Sequence, residues 1–198
     1  MNSTMTEFEA FIDLLAMLVT DPRTAVLLVL LAVASVSDYR TYKIPNWLTF
    51  GGAAFALIYK TTIAAAPLAA FGLAAGGLLF GLAIMLPMYI VRVMGAGDVK
   101  LMAMVGAFLG FSATLHAALY VFIVGGIAAI GFALLNKSLT RMLLNVKDAA
   151  QGMLLSSIVG IKPDGQIAAG KSVGKLPYGV CIAIGTVISV VARQLGLG

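Results

Sequence analysis

Long apolar stretches separated by short polar ones run through the chain, at residues 24–37, 47–66, 67–91, 99–111, 115–135 and 176–195. A helix needs about 20 mostly apolar residues to cross the hydrocarbon core, with some latitude at its ends. The pattern predicts an all-α polytopic membrane bundle of about six transmembrane helices, with residues 1–198 as a single membrane-embedded domain. The run 99–111 is short, which suits a helix wrapped by its neighbours better than one facing lipid along its whole height. Residues 8–20 are apolar but interrupted by acids and are expected to form an interfacial helix within a non-cytoplasmic segment 1–23. In the stretch 137–155, Leu139, Met142, Leu143, Val146, Ala150, Met153 and Leu154 recur at helical spacing, while Lys137, Arg141, Asn145 and Lys147 fall elsewhere on the wheel. That predicts an amphipathic helix on the membrane surface, followed by a Gly- and Lys-rich loop that completes a polar segment 136–175.

Small residues mark where these helices are expected to meet. Gly72 and Gly76, Gly77 and Gly81, and Gly106 and Gly110 are each four residues apart. That spacing lets backbones approach closely where no hydrophobic effect drives association.

Composition supports the membrane reading, since 61% of the residues are hydrophobic and 11% charged, against roughly 45–50% and 25% in soluble domains. The net charge of +5 does not point to nucleic acid, because the basic residues are scattered through short connections instead of forming a patch. They report orientation. If six runs alternate, Arg40, Lys43, Arg92, Lys100, Lys137, Arg141, Lys147, Lys162, Lys171 and Lys175 fall on one side, and Arg23, Lys60 and Arg193 on the other. The positive-inside rule makes the first side cytoplasmic and puts both termini outside. Cys181 is the one cysteine, so neither an intramolecular disulfide nor a cysteine-rich zinc site is expected. The start carries Glu7, Glu9 and Asp13 in place of a basic n-region, so no removable leader is expected.

Four of the eight acids precede the first run, and Asp148 and Asp164 lie in the polar stretch after the fifth. Asp38 and Asp98 remain, one closing the first run and one opening the fourth, which places both at one membrane depth on the cytoplasmic side. Ionisable groups at that depth are costly and point to function, against the plainer reading of two carboxylates at a wet interface. Asp38 begins DYRTYKIPN, where Pro45 and Asn46 restart the chain as a helix; Asp98 ends GAGD. Gly95 and Gly97 are expected to supply backbone angles that a side chain forbids, presenting Asp98 at a helix start, where negative charge is favoured. Two carboxylates a few ångströms apart share a proton and titrate as a pair. One then acts as base on water while the other polarises an amide carbonyl.

DYRTYKIPN and VMGAGDVKLMAMVGAFLG resemble the two aspartate motifs of the type IV prepilin peptidases, within the wider class of GxGD intramembrane aspartyl proteases. LPYGVCIAIG, at 176–185, is similar to the family's C-terminal motif. The resemblance implies an endopeptidase that removes the basic leader of prepilins at the cytoplasmic face of the bacterial inner membrane, cutting after a glycine. It also implies Asp38 and Asp98 as the catalytic pair, with Gly95, Gly97, Lys100, Pro177, Tyr178 and Gly179 as supporting or substrate-binding residues. The implied partners are a prepilin or pseudopilin precursor and the bilayer, with no cofactor and no metal. Larger members carry a cytoplasmic cysteine tetrad that binds zinc and is associated with N-methylation. This chain lacks it, which argues against methyltransferase activity and resembles the compact subclass serving Flp or tight-adherence pili.

Lys100 can bias the shared proton, pair with a substrate acid, or serve only as a positive-inside lysine. Tyr178 can orient the pair or simply sit at the interface. His116 has no second ligand nearby and is assigned no role. GQIAAGKS at 165–172 fits the phosphate-binding GxxxxGK(S/T) pattern, but it lacks the strand before and helix after that a nucleotide site requires, so no nucleotide is expected. Three rival readings are a proton- or cation-coupled transporter or channel using Asp38 and Asp98, a non-catalytic assembly subunit, and an archaeal-type preflagellin peptidase. A transporter would place acids nearer the bilayer centre and break helices in matching halves.

Overall fold

The computed structural model describes residues 21–90, 94–135 and 176–196. The segment 8–20, the amphipathic stretch 137–155 and GQIAAGKS lie outside these residues. Six helices and no strand are found among the described residues: α1 Pro22–Thr41, α2 Asn46–Ile63, α3 Pro67–Ile90, α4 Ala96–Leu109, α5 Phe111–Leu135 and α6 Tyr178–Gln194. The chain is a polytopic helical bundle.

α1 starts where its sequence provides a cap. Asp21 Oδ1 accepts the Arg23 N–H at 3.3 Å, Oδ2 accepts the Thr24 hydroxyl at 2.7 Å, and Pro22 fills the first turn, where its missing N–H costs nothing. The helix continues past the apolar run 24–37 and takes in Asp38, because the polar turn that follows still closes i to i−4 backbone bonds. It ends at Tyr42, a left-handed residue at φ 51° whose N–H donates to the Asp38 carbonyl at 2.8 Å. A non-glycine residue there costs roughly 1–2 kcal/mol. Compensating bonds tie the turn down: Ser37 Oγ donates to the Lys43 carbonyl at 2.8 Å and Thr41 Oγ1 to the same carbonyl at 3.3 Å. The chain restarts at Pro45, the N-cap of α2.

α1, α3 and α5 are long and apolar enough to cross a membrane, whereas α2, α6 and α4 have 18, 17 and 14 residues. The short α4 touches every other described helix, and ten of its residues, from Asp98 to Phe108, are buried, as the short apolar run predicts. Large apolar side chains such as Val29, Leu79, Ile123 and Ile127 face outward. Such a surface is a liability in water and ordinary against lipid.

Glycine sets the closest helix contacts. A Cβ on Gly77 would collide with the Gly106 carbonyl oxygen and stand 2.7 Å from Gly110 Cα, and a Cβ on Gly106 would strike Gly77 in return. Gly81 lies as close to the Met102 carbonyl. α3 and α4 therefore pack backbone on backbone through Gly77, Gly81 and Gly106. Gly72 and Gly76 have open space beside them, so that four-residue spacing makes no close contact among the described residues. α6 meets α5 in the same way, since a Cβ on Gly185 would fall 2.6 Å from the backbone of Val121.

Candidate active site

One end of the bundle collects the last turn of α1, the N-termini of α2, α4 and α6, and the turn between α1 and α2. Asp38, on α1, and Asp98, in the first turn of α4, are 5% and 8% exposed and lie close enough for the Asp38 charge to act on Asp98. Buried carboxyls require hydrogen-bond partners, and each has one from the backbone. Asp38 Oδ2 accepts the Gly179 N–H at 2.7 Å, a bond from the first turn of α6 across 141 residues of chain. Asp98 Oδ2 accepts the Gly95 N–H at 3.0 Å, closing a capping box at the start of its own helix.

The glycines work differently from the sequence expectation. Gly95 sits at φ −82°, and Gly97 is not among the residues with positive φ, so neither uses an angle closed to other residues. Proximity decides instead. A Cβ on Gly97 would stand 3.3 Å from Ile44 Cβ, and one on Gly179 would stand 2.9 Å from Asp38 Oδ2 and 3.0 Å from Ile44 Cδ1. Ile44, buried and held by the hydroxyl-tied turn, thus wedges between the glycine beside Asp98 and the glycine that binds Asp38. Sequence reasoning quoted Ile44 inside its motif without assigning it a task. The signal was an apolar residue, amid polar neighbours, just ahead of the Pro45 restart.

Pro177 caps α6 and accepts the Val180 N–H at 3.3 Å. Tyr178 lies within electrostatic reach of Asp98 and rests its ring and hydroxyl on α5, where a Cβ on Gly125 would come 2.5 Å from the Tyr178 oxygen. Gly125 thus makes room for Tyr178, a pairing that no spacing along the chain reveals. Cys181 is buried and within electrostatic reach of both carboxyls. Lys100 turns toward α2: its Nζ donates to Asn46 Oδ1 at 2.9 Å and sits 5.2 Å from the Phe50 ring centre, a cation–π contact. His116 is exposed near the other end of the bundle, its Nδ1 3.1 Å from the Ser112 carbonyl. Among the described residues no group of three potential metal ligands converges.

A helical membrane bundle with two buried, backbone-tethered carboxyls at one end is the class of protein that fold and site define. Residues 25–130 match the model of the type IV leader peptidase family, and the chain belongs to that family. It is thus a membrane peptidase of the prepilin peptidase class, with a prepilin-type substrate. No curated protein and no solved structure matches the chain.

Proposed function

We propose that the protein is an aspartyl endopeptidase that removes the basic leader of Flp-type prepilins, with Asp38 and Asp98 as its catalytic pair. The observation that supports this most is the meeting of two buried carboxyls from separate helices, each oriented by a backbone N–H. In this reading one carboxylate takes a proton from water, which attacks the amide carbon. The other, protonated, donates its proton to the carbonyl oxygen as charge develops there. When the tetrahedral intermediate collapses it takes that proton back, and the first carboxyl passes the proton taken from water to the departing amine, which restores the starting pair. Gly179 and Gly95 fix the carboxyls before substrate arrives, and Ile44 and Tyr178 hold the helices that carry them.

The basic residue count puts this end on the cytoplasmic side and both termini outside, so water arrives from the cytosol and the prepilin helix from the bilayer. Cleavage follows a glycine just ahead of the precursor's apolar helix, as the motif resemblance implies. The proposal does not extend to N-methylation, because the chain has Cys181 in place of a cysteine tetrad.

Co-expression of a Flp-type pilin precursor with wild-type, Asp38→Asn and Asp98→Asn proteins tests the assignment, with membrane levels of each compared. The wild type is expected to shorten the precursor. Both variants are expected to accumulate equally and to lose at least about a hundredfold in rate, the lower range for removal of a general acid or base. Cleavage by either variant at the wild-type rate would overturn it.

A further inference from the structure

The end of the bundle away from the carboxyls gathers three cations from three helices. Arg23 lies in the first turn of α1, Lys60 in the last turn of α2 and Arg193 in the last turn of α6. Arg23 and Arg193 both act electrostatically on Lys60, whose Nζ would stand 3.8 Å from a Cβ on Gly110 at the break between α4 and α5. Asp21 faces this group but is already engaged, capping α1 through both oxygens and lying 3.6 Å from Arg23 Nε. Among the described residues Lys60 and Arg193 make no ion pair. A helix C-terminus favours a cation, which accounts for Lys60 and Arg193 taken singly. It does not account for Arg23 at a helix N-terminus, nor for like charges facing one another beside apolar walls, where repulsion is less screened than in water.

A cavity of about 350 Å³ opens between Arg23 and Arg193, with Asp21 and Gln194 completing its polar side and Leu27 and Phe108 on its apolar side; Lys60 stands outside this lining. The Gln194 side-chain oxygen is shut off from solvent without a hydrogen-bond partner among the described residues. Buried polar atoms rarely stay unsatisfied. Two arginines, an amide oxygen unpartnered among the described residues and an apolar wall meet in one open cleft at the rim of a membrane bundle.

We propose that this cleft binds the phosphate of an anionic phospholipid headgroup, held between Arg23 and Arg193, with the charge of Lys60 acting from beyond the lining. The guanidinium groups offer fork-shaped donors to phosphate oxygens, and Lys60 adds a point charge. The Gln194 side-chain oxygen accepts from a headgroup hydroxyl, and Leu27 and Phe108 cover the apolar part of the lipid. A free phosphate ion would neutralise the cations but leave that wall uncovered. The site lies a bundle length from the carboxyls and stands apart from the peptidase reading.

The test is lipid retention by the purified full chain in mixed phosphatidylglycerol and phosphatidylcholine nanodiscs, read by native mass spectrometry, with the unfolding midpoint measured alongside. Phosphatidylglycerol is expected to be retained in preference. Lys60→Gln and Arg193→Gln are each expected to weaken the preference about fivefold, the worth of one basic residue at a charged surface, while Lys60→Arg and Arg193→Lys keep it. Equal retention of both lipids would overturn the proposal. So would a rise in midpoint with millimolar inorganic phosphate, without lipid, that matches the rise with phosphatidylglycerol. Precursor cleavage measured on the same samples keeps failure here distinct from failure of the peptidase assignment.

Discussion

The two ends of the bundle handle charge in opposite ways. At one, Asp38 and Asp98 are buried and each carboxyl takes a backbone N–H from a helix start. At the other, Arg23 and Arg193 line an open cleft with Lys60 in electrostatic reach, and Asp21 alone among the described residues pairs with any of the three. Fixed partners orient the first set before any ligand arrives, which is what preorganised chemistry needs. In the second set Arg23 has Asp21, whereas Lys60 and Arg193 have no ion-pair partner among the described residues. Burial with satisfied partners is what the proposed catalysis needs, and charge left open to a cleft is what the proposed lipid site needs.

The comparison breaks most sharply at Gly179. Its Cβ would stand 2.9 Å from Asp38 Oδ2, so Gly179→Ala shifts the carboxylate while leaving the helix helical. Cleavage is expected to fall about a hundredfold, the usual scale for a displacement near 1 Å, with little change in folded protein; an unchanged single-turnover rate would show that Asp38 does not need its Gly179 bond. Next comes the packing that brings the two motifs together. Gly77→Val or Gly106→Val forces α3 from α4 and is expected to cost about 1–3 kcal/mol, seen as a lowered unfolding midpoint in detergent. Gly125→Ala pushes the Tyr178 ring off α5, with an expected loss of about tenfold in cleavage, or about 1.4 kcal/mol. Restoration by the second change Tyr178→Phe would locate the clash at the hydroxyl. Ser37→Ala removes one bond to the Lys43 carbonyl and is expected to cost about 1 kcal/mol. The smallest effect sharpens the contrast: Lys60→Gln is expected to leave cleavage unchanged, since Lys60 lies at the opposite end from the reacting groups.

Much of this arrangement is legible along the chain. Apolar runs locate all six helices, and the shortness of the fourth run foretells its burial, because only a helix enclosed by others tolerates so little lipid-facing length. The two aspartates emerge by elimination, as the acids that remain once the N-terminal and polar stretches are set aside. Helix ends are less legible. α1 runs four residues beyond its apolar stretch and carries Asp38 inside the helix, since backbone bonding does not stop where hydropathy does. Gly97 shows how a residue type stands out while its reason does not: its value lies in nearness to Ile44 and not in φ, whereas a Cβ on Gly95 would make only ordinary contact with Asp98. Contacts between distant segments, such as Gly125 with Tyr178 or Gly179 with Asp38, leave no periodic trace because they exist only once the helices have packed. The cationic end illustrates the same limit. Arg23, Lys60 and Arg193 register in the sequence only as exceptions to the positive-inside rule, and their convergence appears in three dimensions.

The central claim is that Asp38 and Asp98 act as one catalytic unit. Single-turnover cleavage of a prepilin by the wild type, Asp38→Asn, Asp98→Asn and the double variant tests it most directly. The account predicts that each single variant loses nearly as much as the double, because residues that act as a unit are strongly non-additive. Losses that multiply independently, or a single variant that retains most of the wild-type rate, would contradict it.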